Sequence, residues 1–209
     1  MRVASFVGQK GGVGKSALAR VLAVAAARKG RKTLIADFDR EQLTCVEWAG
    51  RRKRAGRKPD VEAREFKTLK KLRKNVDGYD VVVVDTRGHA DELTKDVADE
   101  SDVVFLPTSA SLDDLGPTLD LARRLARHGI ADRIVIVLSR VGRSERLLDN
   151  AARVIEEAGF EALQVHWPQR DGFQGDLDDG LAGSEASNPH LRQSAKALED
   201  ALLARLGGK

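Results

Sequence analysis

The residues best placed to do chemistry form a glycine-rich segment close to the amino terminus. Residues 8–16, Gly-Gln-Lys-Gly-Gly-Val-Gly-Lys-Ser, follow a short apolar run at 3–7 and precede a long segment rich in alanine and leucine. This is the order strand, turn, helix. Such a turn directs successive backbone N–H groups at phosphate oxygens, and the start of the helix adds a positive dipole. The segment therefore predicts a phosphate-binding loop.

Individual positions of this loop have separate predicted tasks. Lys15 is expected to reach the β and γ phosphates of a nucleotide, and the Ser16 hydroxyl is expected to ligate Mg²⁺. The other predicted nucleotide-binding positions of the loop are Gly11, Gly12, Val13, Gly14 and Ala17. The alternative is a glycine-rich turn with exposed lysines and no nucleotide, which the flanking strand and helix make the weaker interpretation.

Two later strands are predicted to end in acidic residues. Residues 32–39 run out into Asp37 and Asp39, and four consecutive valines at 81–84 are followed by Asp85. Open α/β sheets bind ligands at the carboxyl ends of their strands, and an acid there is suited to hold Mg²⁺ beside a phosphate loop. The pattern predicts an ATP·Mg²⁺ site. A simpler role for Asp37 and Asp39, ending a strand or capping the next helix, stays open.

Strands and helices are predicted to alternate along the chain. Strands are expected at 2–7, 32–39, 61–66, 81–85, 102–107, 133–139 and 162–168, and helices at 16–28, 43–54, 67–76, 115–128, 143–158 and 191–206. Repeated βαβ units favour one doubly wound α/β domain over 1–209, with a mostly parallel sheet flanked by helices. Residues 171–189 contain four glycines and five acids and predict a surface loop.

Composition limits the class of protein. A chain of 209 residues with 42% hydrophobic and 33% charged residues fits one soluble globular domain. It has no run of about 18 apolar residues, so neither secretion nor membrane spanning is expected. The single cysteine, Cys45, excludes an internal disulfide or a clustered-thiolate metal site and predicts a reducing cytoplasm. No metal-ligand spacing joins the histidines His89, His128, His166 and His190.

Positive charge is concentrated in one stretch. Residues 51–74 hold twelve lysines and arginines against three acids, a local balance of +9 in a chain whose net charge is +4. Clustered positive charge predicts a polyanionic partner, because it releases counterions on meeting phosphates. The candidate DNA contacts in this stretch are Lys67, Lys70, Lys71 and Lys74. Helix capping is an alternative role for part of the cluster.

The phosphate loop resembles the deviant Walker A loop of the ParA/MinD family of ATPases. The similarity rests on K-G-G-V-G-K-S at 10–16, which carries an early second lysine, and extends to Asp39 and Asp85. It implies a P-loop NTPase that uses ATP and Mg²⁺ and hydrolyses ATP slowly on its own. It also implies that Lys10 reaches the partner subunit's nucleotide in a dimer. Asp39 is implied to position or activate the attacking water, and Asp37 to lie nearer the Mg²⁺ shell.

The resemblance also implies adenine contacts and contains departures. Arg140 lies where the family often has a base-contacting residue, and Pro168 and Arg170 lie where it has a segment that packs on the adenine. The chain has Arg40 where the family has proline after the second acid, and Arg87 where it has proline after the third. We expect the family pattern to fail first at these two arginines.

The implied function is that of a small ParA-type partition ATPase without an amino-terminal DNA-binding extension. Such a protein forms a homodimer on binding ATP, holds DNA without sequence preference, and segregates plasmids or chromosomes or positions other cargo. A ParB-like centromere-binding protein or a cargo adaptor would stimulate hydrolysis. The expected location is the cytoplasm, on the nucleoid. Because the family tends to place DNA contacts near the carboxyl terminus, Arg192 and Lys196 compete with the 51–74 stretch.

Two rival functions remain. A MinD-like membrane-associated positioning ATPase would end in an amphipathic helix with a basic polar face. Here the polar face of 191–206 mixes Arg192, Lys196 and Arg205 with Glu199 and Asp200, so we expect a helix docked on the domain and no stable membrane association. The other rival is a dethiobiotin-synthetase-like ligase, for which the sequence shows no separate substrate pocket.

Overall fold

The fold consists of parallel strands joined by helices. The computed structural model describes residues 1–88 and 92–207, so His89 lies outside the described residues. The strands are β1 (Arg2–Phe6), β2 (Thr33–Asp37), β3 (Glu62–Glu65), β4 (Val81–Asp85), β5 (Val103–Thr108), β6 (Ile134–Val141), β7 (Glu161–Ala162) and β8 (Trp167–Pro168). The helices are α1 (Lys15–Arg28), α2 (Thr44–Arg54), α3 (Leu69–Arg73), α4 (Glu92–Asp99), α5 (Leu112–Leu125), α6 (Glu145–Glu157), α7 (Asp171–Asp178) and α8 (Pro189–Gly207).

The sheet has the strand order β3-β2-β4-β1-β5-β6-β7, and β8 pairs separately with β6. Every pairing is parallel. Helices therefore cross over on both faces, which explains why the central strands are apolar on both sides. The predicted doubly wound α/β architecture with a mostly parallel sheet is confirmed.

The two faces of the sheet carry separate hydrophobic clusters. On one face, α1, α2, α7 and α8 contribute side chains such as Leu22, Trp48 and Phe173. On the other face, α3, α4, α5 and α6 contribute side chains such as Leu72 and Leu119. Because each layer shields one side of the strands, the central strands reach solvent at their termini.

The last helix packs on the first. The predicted apolar stripe of α8 includes Ala195, Leu198, Leu202 and Leu206, all fully buried, and α8 contacts α1. The prediction of a docked helix is confirmed. The predicted composition of its polar face was partly wrong, because Glu199 is also buried and accepts hydrogen bonds from Arg28 and from Ser184. None of the helices within 1–88 and 92–207 has the length and apolarity needed to cross a bilayer.

Two sequence-based assignments in the second half of the chain were wrong, and one helix near the middle was missed. The predicted strand at 162–168 is two separate two-residue strands: β7 pairs with Val135 and Ile136 of β6, and β8 pairs with Ser139 and Val141 further along it. The helix α4 was not predicted at all. The predicted surface loop at 171–189 contains α7 and a short helical turn at Gly183–Glu185.

The segment 171–189 folds inward because its polar residues have buried partners. Phe173 is buried, and Asp176 accepts hydrogen bonds from the backbone and hydroxyl of Ser187. Glu185 accepts two hydrogen bonds from Arg52, at 2.6 and 2.8 Å. Two of the five acids that suggested a solvent-exposed loop are thus hydrogen-bond acceptors: Asp176 within the segment, and Glu185 toward α2.

Candidate functional site

The register of three adjacent strands gathers the predicted site at one edge of the sheet. Asp37 at the end of β2 lies beside Asp85 at the end of β4, and Asp85 lies beside Phe6 at the end of β1. The phosphate loop begins directly after β1. We call this the carboxyl edge, and it is where an open parallel sheet binds its ligands.

Backbone geometry explains the glycines at the centre of the loop. Gly12 and Gly14 have φ angles of 74° and 96°, in the left-handed region that favours glycine. A Cβ atom at Gly14 would also lie 2.5 Å from the Ser139 hydroxyl oxygen. Gly14 is the residue before α1, so this conformation turns the chain from the loop into the helix.

Lys15 is held inside the loop by its own backbone. Its side chain is buried, and the ammonium donates a 2.9 Å hydrogen bond to the carbonyl of Lys10. Burial lowers the pKa of Lys15, while the carboxylates of Asp85 and Asp39 oppose that shift. The ammonium therefore lies between the loop and two acids, as a lysine that neutralises phosphate charge requires.

Asp85 is a second acid of the site that, like Asp37, has no exposed surface. It is fully buried, and burial is the main cause that raises its pKa to about 6, while the neighbouring Ser16 hydroxyl, the Cys45 thiol and Lys15 lower it. Cys45 Sγ donates to Oδ2 at 3.2 Å. Oδ1 is buried and has no hydrogen-bond partner of ordinary geometry in the described part of the chain. A free carboxylate oxygen beside a serine hydroxyl is a donor set that fits a hard cation such as Mg²⁺.

Asp37 has a structural task that the sequence left open. Its Oδ2 accepts hydrogen bonds from the backbone N–H groups of Cys45 at 2.9 Å and Val46 at 3.3 Å, at the start of α2. Leu43, the residue before α2, has no side-chain oxygen and adopts a φ of 46°. Asp37 thus caps the helix from a neighbouring strand. Burial raises its pKa, and these hydrogen bonds oppose the rise.

Asp39 organises the loop between β2 and α2. Its Oδ1 accepts hydrogen bonds from the backbone N–H groups of Glu41 and Gln42, at 3.3 and 3.2 Å. The carboxylate remains partly exposed and close enough to Lys15 to affect its pKa. Arg40, where the family pattern has proline, forms an ion pair with Glu65 at 3.1 Å and so ties the loop to the end of β3.

Lys10 is bound within its own subunit. Its ammonium donates to the Asp113 carbonyl at 2.7 Å and to Asp114 Oδ1 at 2.6 Å. The hydrogen bond from Lys10 is the main cause that lowers the pKa of Asp114. The Lys10 side chain is 43% exposed. The lysine expected to act on a partner subunit is therefore accessible and held by α5, and its action in a dimer stays a prediction.

The residues proposed to bind adenine line one cleft. A cavity of about 170 Å³ is bordered by Gly14 and Ala17 of the phosphate loop and by Arg140, Pro168 and Arg170. Arg140 has a φ of 55° and donates a 2.5 Å hydrogen bond to the carbonyl of Gly12. The guanidinium of Arg170 binds the carbonyl of its neighbour Gln169. The structure thus brings together three side chains that the sequence placed by resemblance alone.

Gly88 packs on the phosphate loop. A Cβ atom there would lie 2.7 Å from Gly11 N, 2.9 Å from Gly11 Cα and 3.0 Å from the carbonyl carbon of Lys10. Because these are backbone atoms of the loop, no side-chain movement would relieve the contact. The turn after β4 and the phosphate loop are therefore in direct contact at a position that only glycine fits.

The basic stretch 51–74 separates into paired and free cations. Arg52 was predicted to be part of a basic surface, but it is buried. It lies over the ring of Trp48 and forms an ion pair with Glu185 of the 171–189 segment, so its charge is not available at the surface. Four more form ion pairs: Arg51, Lys58, Arg64 and Arg73. Lys53, Arg54 and Arg57 are exposed and have no ion-pair partner among residues 1–88 and 92–207, and the same is true of four lysines further along the stretch, Lys67, Lys70, Lys71 and Lys74. We call these four residues the lysine surface.

The competing cations near the carboxyl terminus are engaged. The guanidinium of Arg192 donates to the carbonyls of Ala186 at 2.9 Å and Ser187 at 3.3 Å. Lys196 pairs with Asp200 at 2.5 Å on the same helix face. Surface pairs of this kind are weak, so Lys196 stays accessible. Whether either cationic surface contacts DNA stays a prediction.

Two residues of the site were not assigned from the sequence. Cys45 contacts Asp85, and Asp114 holds Lys10. An apolar-looking cysteine inside a helix gives no indication of a polar contact. The position of the acidic pair Asp113 and Asp114 opposite Lys10 depends on the strand order, which neighbouring residues do not indicate.

Comparisons with known proteins agree with this geometry. The family model described as the CobQ/CobB/MinD/ParA nucleotide binding domain matches residues 4–175. The chain is 31% identical over 167 residues to the maintenance of carboxysome distribution protein A of Gloeobacter kilaueensis, covering 78% of this chain and 75% of that protein. It is 27% identical over 203 residues to an uncharacterized ATP-binding protein of Methanocaldococcus jannaschii, covering 91% and 70%.

A solved structure shares the fold over nearly the whole length. The septum site-determining protein MinD of Pyrococcus horikoshii, complexed with Mg-ADP, superposes with a TM-score of 0.73 at 20% identity. The match covers 99% of this chain and 97% of that one. At this identity the likeness supports the fold, and the family model carries the assignment.

Proposed function

This chain belongs to the CobQ/CobB/MinD/ParA nucleotide-binding family, and we propose that it is a ParA/MinD-type ATPase that uses ATP and Mg²⁺ to partition or position cargo. The observation that carries the proposal is the meeting of Lys15, Asp39 and Asp85 around the phosphate loop. The names of two similar proteins, one acting in carboxysome distribution and one in septum placement, support the positioning role.

The site supports attack of water on the γ-phosphate. Lys15 would exchange the Lys10 carbonyl for phosphate oxygens, and the backbone N–H groups of the loop would hold the remaining charge. Asp39, partly exposed and anchored through one oxygen, is placed to orient the water. Ser16 and Asp85 Oδ1 would hold Mg²⁺, which neutralises phosphate charge when bound.

A second copy of the chain would complete the site. Lys10 lies on the open carboxyl edge, and its partner Asp113 is next to Leu112, whose side chain is 66% exposed. A charged group that can be displaced from its partner on an open edge suits an interface that forms only when nucleotide is present. We expect Lys10 to leave Asp114 and contact the partner's nucleotide in an ATP-bound homodimer.

The lysine surface is the preferred DNA contact. Its four ammonium groups are exposed and unpaired among the described residues, whereas Arg192 and Lys196 already have partners. Unpaired cations neutralise phosphates without first breaking an ion pair. Binding would be nonspecific, on the nucleoid in the cytoplasm, and a ParB-like protein or cargo adaptor would stimulate hydrolysis. Membrane attachment is the second candidate, but the apolar stripe of α8 is buried in the domain.

ATP-dependent retention on immobilised duplex DNA of arbitrary sequence tests the proposal. With Mg²⁺, ATP should increase retention over ADP by at least about tenfold, a usual size for coupling between two ligands. Lys15→Ala should abolish the increase, because it removes the ammonium that neutralises the phosphates. Lys29→Ala is the matched control, since Lys29 is an exposed lysine just after the other end of α1.

Two outcomes would contradict the proposal. Equal retention with ATP and ADP would show that the bound nucleotide does not control DNA binding. ATP-dependent binding to anionic vesicles without binding to DNA would favour the membrane candidate.

A further inference from the structure

Cys45 contacts several residues of the predicted site, although no role has so far been assigned to it. It is fully buried in the first turn of α2. Its backbone N–H donates to Asp37 Oδ2 at 2.9 Å, and its thiol donates to Asp85 Oδ2 at 3.2 Å. The thiol also lies 3.7 Å from the carbonyl of Ser16. One side chain therefore contacts both the acid that ends β4 and the start of α1.

The thiol makes the two oxygens of Asp85 unlike. Oδ2 accepts the hydrogen bond from Cys45, whereas Oδ1 is buried and has no partner of ordinary geometry in the described part of the chain. A buried carboxylate oxygen without a donor costs free energy. The unpaired oxygen is the one that a cation would satisfy, and the hydrogen bond from the thiol distinguishes it from Oδ2, in a carboxylate that the Ser16 hydroxyl also neighbours.

We propose that Cys45 is a positioning residue that holds Asp85 through Oδ2 and so presents Oδ1 to the divalent cation of a bound nucleotide. This inference rests on the proposed function, because it assumes that Ser16 and Asp85 hold Mg²⁺. Groups that orient a metal ligand without touching the metal commonly contribute strongly to metal affinity.

Cys45 also links this ligand to the loop between β2 and α2. Asp37 fixes the backbone of Cys45, and Asp39, two residues after Asp37, fixes the preceding loop through Glu41 and Gln42. A shift of α2 would therefore move the thiol relative to Asp85. This contact, together with the 2.9 Å hydrogen bond from the backbone N–H of Phe38 to the carbonyl of Asp85, couples the loop that carries Asp39 to the ligand of the cation.

The proposal is tested by titrating Mg²⁺ into the full-length protein with a fluorescent ADP analogue and following nucleotide binding. Cys45→Ala and Cys45→Val remove the donor, and Val keeps more of the buried volume. Both should raise the Mg²⁺ concentration for half-maximal enhancement by roughly tenfold, the lower end of the usual effect of such partners. Affinity for the analogue in EDTA should stay unchanged, because the phosphate loop is intact.

Cys45→Ser is the matched conservative variant, since its hydroxyl is still a donor to Asp85. It should restore the Mg²⁺ midpoint to within about threefold of that of the unaltered protein. Restoration is expected to be incomplete because the hydroxyl of serine reaches less far than the thiol of cysteine. Thermal unfolding of all three variants shows whether the fold persists. If Cys45→Ala is unfolded, the Val and Ser pair carries the comparison.

The possible failures are distinguishable. If the unaltered protein shows no Mg²⁺ enhancement of nucleotide binding, the proposed function fails. If it does, and the folded Ala and Val variants keep the same midpoint, Cys45 does not position Asp85. An equal decrease in affinity with and without Mg²⁺ would overturn the proposal in favour of a purely structural role.

Discussion

The carboxyl edge and the lysine surface differ in how their charged groups are held. At the edge, Lys15 and Asp85 are buried, and each is fixed by the backbone or by a neighbouring side chain. On the lysine surface, the ammonium groups project into solvent without partners in the part of the chain that is described. The first region has a defined geometry, and the second has only a charge density.

This difference separates two kinds of recognition. Buried charges act at low effective dielectric, so small displacements of Lys15 or Asp85 change binding strongly. Exposed charges are screened by salt and act together, so no single lysine is decisive. Changes at the edge should therefore have large, specific effects on nucleotide binding, and changes on the surface should have graded, salt-dependent effects on DNA binding.

The largest expected effect tests whether the edge depends on close packing. Gly88→Ala places a methyl group within 2.7 Å of Gly11 N. Overpacking of this kind costs about 1–3 kcal/mol, so nucleotide affinity should fall by roughly fivefold to 150-fold. Isothermal titration with Mg-ADP measures the decrease.

Gly116→Ala is the control for that experiment, because a Cβ at Gly116 of α5 has no neighbour within 4 Å and the residue is exposed. It should bind Mg-ADP as the unaltered protein does. Normal affinity in Gly88→Ala would show that the two loops separate easily and that the edge is less rigid than its packing indicates.

The next effect tests the lysine surface alone. Lys70, Lys71 and Lys74 changed together to Glu should weaken DNA binding by at least about tenfold at moderate salt. The slope of the logarithm of the DNA-binding constant against the logarithm of the salt concentration should become smaller by about three. Each lysine removed leaves one DNA phosphate without its neutralising ammonium. ATP-dependent retention measured over a series of salt concentrations reports both quantities. Nucleotide binding should not change.

A charge-matched variant guards against a general effect of net charge. Arg124, Arg127 and Arg153 are exposed, and they lie on α5, on the turn after it and on α6, at the far side of the same face. Their replacement by Glu should leave DNA binding nearly unaltered. If the two triple variants behave alike, DNA binds elsewhere, and Arg192 and Lys196 become the residues to test.

The smallest effect is a pH dependence confined to the edge. Because burial raises the pKa of Asp85 to about 6, the carboxyl gains a proton as the pH falls through that value. Between about pH 7.5 and pH 5.5 the ionised fraction falls about fourfold, so Mg²⁺ enhancement of nucleotide binding should weaken by about that factor. Binding in EDTA is the reference. A flat profile would place Asp85 outside the cation site.

Sequence reasoning found the parts of the edge that repeat a local pattern. The loop at 8–16, Asp37, Asp39 and Asp85 were placed correctly at strand ends. The order of strand, turn and helix can be recognised from patterns in neighbouring residues. Arg52 and the segment 171–189 were misassigned. Their polar character suggested exposure, but they pair with each other across more than a hundred residues of chain.

The sequence by itself determined that a phosphate loop and three acids stand at the ends of parallel strands, since these depend on local order and spacing. Only the tertiary structure decided which strands are neighbours, and with them the hydrogen bonds of Lys10 with Asp114 and of Cys45 with Asp85. The physical reason is that these hydrogen bonds join residues 40 to 104 positions apart, and only the packing of helices on a sheet of fixed strand order brings such residues within reach of each other.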